Sequence, residues 1–332
     1  MLTVLVTGGA GYVGSGFLRE LLRHGHEVIC VDNLMFGGES LLDILHESNF
    51  SFYKCDINDH VAFDSILKNN EIDAVVHLAA IVGDPACKRE SELATLTNWT
   101  STKWLVDRCA EVGIKRFVFA STCSNYGKMG DRNAYLTEES ELAPVSLYAE
   151  LKVKFEKYIL NEFPKLVDFC PVSLRFSTVY GLSPRMRFDL TVNEFTKELA
   201  EGNELLIFGE QFWRPYCHVK DFSNAFLTVL EAPSDKVAYN VFNVGDTSEN
   251  YTKLMLADEL MNLFPEAKIK YVKKDEDPRD YRVNSDKIKN QLGFRVTMTV
   301  SQGMAEIKRA VEEGIIMNPD DQRYYNIPHE SK

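Results

Sequence analysis

Short apolar runs alternate with amphipathic stretches along the first half of the chain. The apolar runs predict strands, which read LTVLVT (2–7), EVICVD (27–32), FSFYKCD (50–56), DAVVHLA (73–79), RFVFAS (116–121) and PVSLRF (171–176). Apolar residues then recur at helical spacing in a predicted first helix, at Val13, Phe17, Leu18, Leu21 and Leu22. We predict further helices at 60–69, 89–111 and 146–163. Strands that alternate with helices predict an α/β fold, a doubly wound Rossmann sheet of parallel strands with both faces covered.

The rhythm changes after about residue 177, where irregular segments separate the helices. We predict these later helices at 191–201, 219–231, 250–263 and 300–313. They indicate a smaller, mixed α/β lobe packed at the carboxyl edge of the sheet. The predicted domains are therefore a Rossmann domain over 1–176 and a second lobe over 177–332, partly interleaved with it. The tail beyond about residue 318 is polar, and we expect it to be held loosely.

Composition narrows the class of protein. Hydrophobic residues make up 45% of the 332 residues and charged residues 26%, which is typical of a globular protein. No apolar run reaches the roughly 18 residues of a membrane span, and the opening MLTVLVTGG lacks the basic region of a signal peptide. Seven cysteines without a CxxC pair favour a cytoplasmic protein with free thiols. Because the net charge is −12 and no basic run stands out, we expect neither a nucleic-acid nor a membrane partner.

A glycine-rich turn follows the first predicted strand and opens the first predicted helix. The segment VTGGAGYVGS (6–15) places Gly8, Gly11 and Gly14 three residues apart. These glycines suit a tight turn, a close approach of backbone to a pyrophosphate, and close packing of helix on strand. The helix then offers free N–H groups to the phosphates. We predict a dinucleotide site that also includes Tyr12 and Val13.

Carboxylates end the next two predicted strands. Asp32 lies 18 residues after Gly14, where a carboxylate accepts hydrogen bonds from the adenosine ribose and repels a 2′-phosphate. We therefore predict NAD rather than NADP as the cofactor. Asn33, the residue after Asp32, is predicted to contact the cofactor as well. The structural alternative for Asp32 is a turn residue at the end of a strand. Asp56 and Ile57 end the third strand and are predicted to flank the adenine.

The segment YAELK carries the predicted catalytic pair. Tyr148 and Lys152 are four residues apart, so a helix places both on one face. A nearby ammonium favours the phenolate and lowers the pKa of a tyrosine. Tyr148 is then a general base toward a substrate hydroxyl, and Lys152 its partner and a contact for the nicotinamide ribose. In isolation such a pair is usually a surface feature, but here it follows a dinucleotide motif.

These motifs together resemble one enzyme superfamily over most of the chain. The glycine turn, Asp32, HLAA (77–80), STCSNYG (121–127), YAELK (148–152) and RFSTVYG (175–181) resemble the extended short-chain dehydrogenase/reductases, the NAD-dependent nucleotide-sugar epimerases, dehydratases and dehydrogenases. The resemblance implies that Ala79 and Ala80 border the cofactor. It also implies that Thr122, four residues before the Tyr of YG, hydrogen-bonds the reacting sugar hydroxyl.

The two positions after Thr122 distinguish the reactions of that superfamily. The 4,6-dehydratases carry Asp-Glu there, because the expulsion of water needs an acid and a base. This chain has Cys123 and Ser124, which argues against dehydration. We therefore expect oxidation at C4 of a nucleotide sugar, by a 4-epimerase if the ketosugar takes hydride back and by a 4-dehydrogenase if it leaves. Cys123 and Ser124 are candidate sugar contacts, although a packed thiol is the commoner role of such a cysteine.

The second lobe supplies cations for an anionic substrate. WRPYCHV (213–219) resembles the superfamily segment whose arginine, here Arg214, meets the substrate pyrophosphate. The other candidate substrate contacts are Arg185, Arg187, Asn193 and Arg279. Arginine suits phosphate because its planar fork is always charged. For Arg279 a surface ion pair is an equally good interpretation. AAIVGDPACKRE (79–90) also resembles GDP-heptose 4-dehydrogenases, so both GDP- and UDP-linked sugars are expected substrates.

Other possibilities remain open. A dehydratase or reductase of the same superfamily is the first alternative, and a catalytically silent NAD-sensing protein is a distant one, since relatives of that kind tend to lose the Tyr or the Lys. No His/Cys/Asp spacing suggests a metal site. In the superfamily the helices matching 89–111 and 146–163 form a bundle between subunits, so a homodimer is expected.

Overall fold

The computed structural model describes residues 1–131, 134–274 and 279–327. Residues 277–278, directly before the candidate contact Arg279, and the last five residues of the predicted tail lie outside the described residues. The helices are α1 Tyr12–Arg23, α2 His60–Asn69, α3 Asp84–Arg89, α4 Ser91–Thr95, α5 Thr102–Glu111, α6 Leu147–Lys157, α7 Thr191–Ala200, α8 Val219–Glu231, α9 Ser234–Val237, α10 Lys253–Leu263, α11 Asp286–Leu292 and α12 Val300–Glu312. The strands are β1 Thr3–Thr7, β2 Glu27–Asp32, β3 Phe50–Lys54, β4 Ala74–His77, β5 Arg116–Thr122, β6 Cys170–Phe176, β7 Thr178–Tyr180, β8 Leu205–Phe208, β9 Trp213–His218, β10 Asn240–Val244, β11 Asn250–Thr252 and β12 Ile269–Val272.

A seven-stranded parallel sheet forms the centre of the molecule, in the order β10-β6-β5-β4-β1-β2-β3. The predicted α/β Rossmann fold is confirmed, and the six predicted strands are β1 to β6. The strand order reverses between β1 and β4, and such a switch point opens a crevice at the carboxyl ends of the strands. β10 lies outside the predicted Rossmann range 1–176, yet it pairs with β6. Asn240 and Asn243 interrupt its apolar pattern, which is why it was not predicted as a strand.

Two apolar layers cover the sheet, one on each face. On one face α1 and α8 pack through aromatic side chains, with the rings of Phe17 and Phe226 4.9 Å apart and Phe226 also against Phe176. On the other face Phe63 of α2 and Phe155 of α6 lie in one buried cluster with α5. Burial on both faces explains why the central strands are continuous apolar runs rather than alternating ones.

A smaller lobe sits beside the sheet, as predicted. It contains the three-stranded sheet β11-β9-β7 and the pair β12-β8. Its own core joins α7, α10 and α12 around the buried side chains of Tyr180, Tyr216 and Met304. The helices predicted at 191–201, 250–263 and 300–313 correspond to α7, α10 and α12 of this lobe. The helix predicted at 219–231 is α8, which packs on the central sheet with α1 and not in the smaller lobe, because its apolar face meets Phe17 and Phe176. A capping box between Thr299 and Gln302 fixes the start of α12.

The predicted helix at 89–111 contains a π-helical turn, Leu96–Ser101, between α4 and α5. The turn places Asn98 against the loop after β4. Its amide oxygen accepts from the Ile81 N–H and its amide nitrogen donates to the Ile81 carbonyl, both at 2.8 Å. Asn98 also begins the triplet NWT (98–100), which matches the N-x-T pattern of glycosylation acceptors, but its side chain is buried and not presented to solvent. Among the described residues, no helix is long and apolar enough to span a bilayer.

The expectation of a loosely held tail is wrong for the part of it that the structure describes. We call residues 318–327 the C-terminal strap. The Phe188 N–H donates to the Tyr324 carbonyl at 2.9 Å, and the rings of these two residues meet edge to face. Tyr325 is buried, and its hydroxyl lies 3.4 Å from Lys197 Nζ. Aromatic residues, which the overall polarity of the tail concealed, hold the strap on the second lobe.

Candidate active site

A cavity of about 630 Å³ opens at the switch point and runs from the glycine turn to the second lobe. Its lining includes most of the predicted contacts, which are Gly8, Gly11, Tyr12, Val13, Gly14, Asp32, Asn33, Asp56, Ile57, Ala79, Ala80, Thr122, Ser124, Tyr148, Lys152, Arg185, Arg187, Arg214 and Arg279. Cys123 and Asn193 do not line it. The fold thus brings residues from across the chain to one elongated cavity.

The glycine turn is shaped by close backbone contacts. Gly8 has φ +70°, and a Cβ there would lie 2.7 Å from the Ala79 nitrogen. A Cβ on Gly14 would lie 2.4 Å from the Gly8 carbonyl oxygen. A side chain at either position would push the turn away from β4 or from α1. The result is a cradle at the start of α1 that accepts a phosphate-bearing ligand, and NAD fits these residues.

A buried network fixes the backbone below this cradle. Thr7 Oγ1 accepts from the Ala79 N–H at 3.2 Å and lies 2.7 Å from His77 Nδ1. Burial lowers the pKa of His77 to about 3, so the ring is neutral. When the Thr7 hydroxyl donates its hydrogen bond to Nδ1, the ring proton lies on Nε2 and points toward Thr102 Oγ1, 3.0 Å away. Thr7 and His77 both lie in motifs quoted from the sequence, VTGGAGYVGS and HLAA, but neither was assigned a role, because one buried histidine in a strand carries no distinctive pattern.

Asp32 is positioned by its own loop. Its carboxylate accepts from the Ala10 N–H at 3.0 Å and from the Leu34 N–H at 2.8 Å. Burial raises its pKa, while these two N–H groups act in the opposite direction. Next to it, Asn33 donates to Asp56 Oδ2 at 2.9 Å, which ties the ends of β2 and β3 together. The predicted adenosine contacts therefore form one hydrogen-bonded edge of the cavity.

Tyr148 and Lys152 face the cavity from α6, which Ser146 caps through the Ala149 N–H. Lys152 Nζ donates to the Ala120 carbonyl at 2.7 Å and lies 5.9 Å from the centre of the Tyr148 ring. Burial lowers the pKa of Lys152 to about 8. Burial also raises the pKa of Tyr148 above its usual value. The expected lowering of the Tyr148 pKa is thus not found in the chain by itself, because desolvation outweighs the positive charge of Arg187, which acts in the opposite direction.

The hydroxyl-rich segment after β5 divides into two groups. Thr122 and Ser124 line the cavity, and Thr122 Oγ1 accepts from the Ser124 N–H at 3.1 Å. Cys123 points the other way: its thiol is buried and donates to the Arg175 carbonyl at 3.2 Å. The prediction of Cys123 as a sugar contact is corrected accordingly. Tyr126 is also structural, since its hydroxyl donates to Asn243 Oδ1 at 2.7 Å.

Four arginines of the second lobe line the cavity, Arg185, Arg187, Arg214 and Arg279. Arg214 lies on β9, where its Nη1 donates to the Trp213 carbonyl at 2.7 Å and its guanidinium lies 5.4 Å from the Tyr281 ring centre. Arg279 Nη1 lies 3.0 Å from Asp84 Oδ2, in an ion pair that crosses from the second lobe to α3. Tyr281, which the sequence did not single out, is buried, and burial raises its pKa to about 12.

The segment after β7 holds the remaining predicted contacts. Arg187 forms a two-bond pair with Asp189, at 2.9 and 2.8 Å. Asn193 is fully buried and donates to the Arg187 carbonyl at 2.8 Å, while its oxygen accepts from the Gly181 N–H at 2.9 Å. Asn193 therefore shapes the loop, and its prediction as a direct substrate contact is corrected. Arg185 has different surroundings, described below.

The C-terminal strap completes the wall beside Tyr148. Asn326 and Ile327 line the cavity, and Ile327 packs in a cluster with Tyr148 and Cys87. The Asn326 N–H donates to Asp189 Oδ2 at 3.3 Å. In the sequence, only the position of Ile327 shortly after Tyr324 and Tyr325 points to this contact, and such a pattern is a weak indication.

Comparisons with known proteins agree with this geometry. The chain matches the model of the NAD dependent epimerase/dehydratase family over residues 4–245. A UDP-glucose 4-epimerase of Bacillus subtilis is 27% identical over 94% of this chain and 94% of its own length. A UDP-glucose 4-epimerase of Halalkalibacterium halodurans is 30% identical over 74% of this chain and 75% of its own. The crystal structure of a Thermotoga maritima UDP-glucose 4-epimerase with UDP-glucose has a TM-score of 0.82 and 27% identity, and the match covers 95% of this chain and 100% of that one. The predicted resemblance and the NAD cofactor are confirmed, and the chain belongs to the NAD-dependent epimerase/dehydratase family of enzymes.

Proposed function

We propose that this enzyme oxidises the C4 hydroxyl of a UDP-linked hexose and then returns the hydrogen to the opposite face, as a 4-epimerase. The observation that carries the proposal is the position of Tyr148, Lys152 and Thr122 on one cavity with the glycine turn. The residues after Thr122 provide no carboxylate, which disfavours loss of water. The named relatives act on UDP-glucose, and this supports the choice of the nucleotide.

Hydrogen bonds at the end of β5 orient the reacting hydroxyl. Thr122 Oγ1 already accepts from the Ser124 N–H, so its own proton is directed to another acceptor, the sugar O4. Tyr148 Oη takes the proton of the C4 hydroxyl and later gives it back. Bound NAD supplies the hydride acceptor and a positive ring charge that favours the Tyr148 phenolate. Lys152, held at the Ala120 carbonyl, adds a second positive charge near that phenolate.

The diphosphate of the substrate lies between the lobes in this proposal. Arg214 and Arg279 are the proposed phosphate contacts, since both line the cavity on the second-lobe side. The Arg279–Asp84 pair then joins the nucleotide end of the site to the loop after β4. Asp84 also accepts from Ser146 Oγ at 2.7 Å, so this carboxylate is engaged rather than placed as a catalytic acid.

Mass spectrometry of UDP-hexoses and GDP-heptose, incubated with enzyme and NAD in ordinary and deuterated water, tests the proposal. An isomer of unchanged mass, without solvent deuterium, is the expected product of one UDP-hexose. Tyr148→Phe removes the proton acceptor and should abolish the reaction while NAD stays bound. A product lighter by two hydrogens identifies a 4-dehydrogenase, and loss of water identifies a dehydratase. Either of these outcomes contradicts epimerisation.

We also propose a cytoplasmic homodimer. The thiols of the seven cysteines are all free, which suits a reducing compartment. Trp104 of α5 and Trp99 of the π-helical turn before it are both partly buried. Lys154 Nζ of α6 lies 4.0 Å from the Trp99 ring centre. These helices correspond to the predicted subunit bundle. Light scattering should give twice the 37.8 kDa mass of one chain, and a monomeric mass contradicts the dimer.

A further inference from the structure

Arg185 is a buried cation to which the described residues offer no acceptor. Its side chain lines the cavity, and the residue is 7% exposed. Nε and Nη2 are buried without a hydrogen-bond partner, and the guanidinium carbon lies 4.5 Å from the centre of the Phe36 ring. Burial lowers the pKa of Arg185 to about 10, so it is still charged at neutral pH. A buried, charged donor without a partner is costly unless a ligand supplies the anion.

The other cations of the cavity are already engaged. Arg187 is paired with Asp189, Arg279 with Asp84, and Lys152 with the Ala120 carbonyl. Arg214 donates to the Trp213 carbonyl. The positive charge of Arg185 therefore differs from the rest in having no anion or carbonyl assigned to it.

Contacts of the surrounding loop place Arg185 at the cofactor end of the cavity. Ser183, two residues earlier, donates to the Tyr12 carbonyl at 2.5 Å and lies 3.1 Å from Ser15 Oγ, in the first turns of α1. Phe36 belongs to the loop that follows Asp32, on the adenosine side. Arg185 is thus fixed between the start of α1 and the loop after β2, where a dinucleotide places its diphosphate.

We propose that Arg185 binds the diphosphate of NAD, rather than the sugar nucleotide to which the sequence pattern assigned it. The guanidinium fork suits two phosphate oxygens, and the N–H groups at the start of α1 hold the other side. The contact makes a residue of the second lobe part of the cofactor site. This contact helps to retain NAD between the two hydrogen transfers that epimerisation requires. The assignment of Arg185 itself depends only on the binding of NAD and not on which sugar reacts.

Isothermal titration of the cofactor-free protein with NAD, and separately with UDP, tests this assignment. Arg185→Gln should weaken NAD binding by about 10- to 100-fold, the usual effect of losing a charged hydrogen bond, and should leave UDP binding within about twofold. Arg185→Lys keeps the charge without the fork and should fall between wild type and Arg185→Gln. Arg309→Gln is the matched control, because Arg309 is exposed on α12 and paired with Glu313, the residue that follows this helix.

Two results overturn the assignment. Weaker UDP binding with unchanged NAD binding returns Arg185 to the substrate site. Unchanged binding of both ligands makes Arg185 a structural residue. Both readouts are binding constants, so a chain that proves inactive on every sugar contradicts the proposed function and leaves this test intact. Circular dichroism of each variant shows whether it is folded. If Arg185→Gln does not fold, the binding constants of Arg185→Lys provide the test.

Discussion

Lys152 shows the conflict between function and stability at a single residue. Burial lowers its pKa from 10.5 to about 8, so a charged ammonium inside the fold carries a desolvation cost at pH 7. In the unfolded chain this group keeps its proton up to about pH 10.5. The unfolded state therefore binds more protons between pH 8 and 10.5, and the contribution of Lys152 to stability rises with pH across that window.

Lys152→Met should therefore stabilise the cofactor-free protein at pH 7 while it abolishes turnover. We expect a melting temperature higher by about 2 °C or more, because an apolar side chain of similar length avoids the buried charge. Thermal unfolding at pH 7 and at pH 10 measures the effect, which should shrink at the higher pH. Lys220→Met, at an exposed position on α8, is the control. A lower melting temperature for Lys152→Met contradicts this view of Lys152.

Residue spacing, read together with the dinucleotide motif upstream, identified the pair Tyr148 and Lys152, because a helix presents positions four apart on one face. Spacing did not give the direction of the Tyr148 pKa, which depends on how deeply the fold buries the phenol. For the same reason the sequence could not separate Ser124, which faces the cavity, from Cys123, which faces Arg175. The alternation of side chains after β5 predicts that Cys123 and Ser124 point to opposite sides. It does not predict which of the two sides is the cavity.

At the scale of elements, the periodic segments were predictable and the interrupted ones were not. The strands β1 to β6 were read from the sequence, because all but the edge strand β3 are largely apolar runs, whereas the asparagines of β10 concealed a central-sheet strand. The π-helical turn at Leu96–Ser101 and the C-terminal strap depend on tertiary partners, Ile81 and Phe188. Local sequence contains no information on these partners.

The C-terminal strap should influence which sugars the enzyme accepts. Ile327 packs beside Tyr148 on the cavity wall. Ile327→Ala removes part of that wall, so we expect kcat/KM for a UDP-hexose with a bulky substituent to rise several-fold relative to that for UDP-glucose. Steady-state kinetics with UDP-glucose and UDP-N-acetylglucosamine measure the ratio. Ile315→Ala, at a site 71% exposed, is the control, and an unchanged ratio for Ile327→Ala contradicts the role of the strap.

For the whole molecule, the active site is a product of both lobes. The Rossmann sheet provides the glycine turn, Asp32 and the Tyr148 helix, while the second lobe provides Arg214, Arg279 and the strap. Ion pairs and hydrogen bonds cross between them, among them the Arg279–Asp84 pair and the bond from Ser183 to Tyr12. Cofactor and substrate are therefore expected to draw the lobes together.

The fate of hydrogen at C4 tests the central claim most directly. We would incubate the enzyme with a UDP-hexose that carries deuterium at C4 and follow the product by mass spectrometry and NMR. Epimerisation by Tyr148 and retained NAD predicts the C4 epimer with its deuterium still at C4 and none exchanged with water. Loss of the deuterium to water contradicts the account, and so does its release on free cofactor together with a ketosugar.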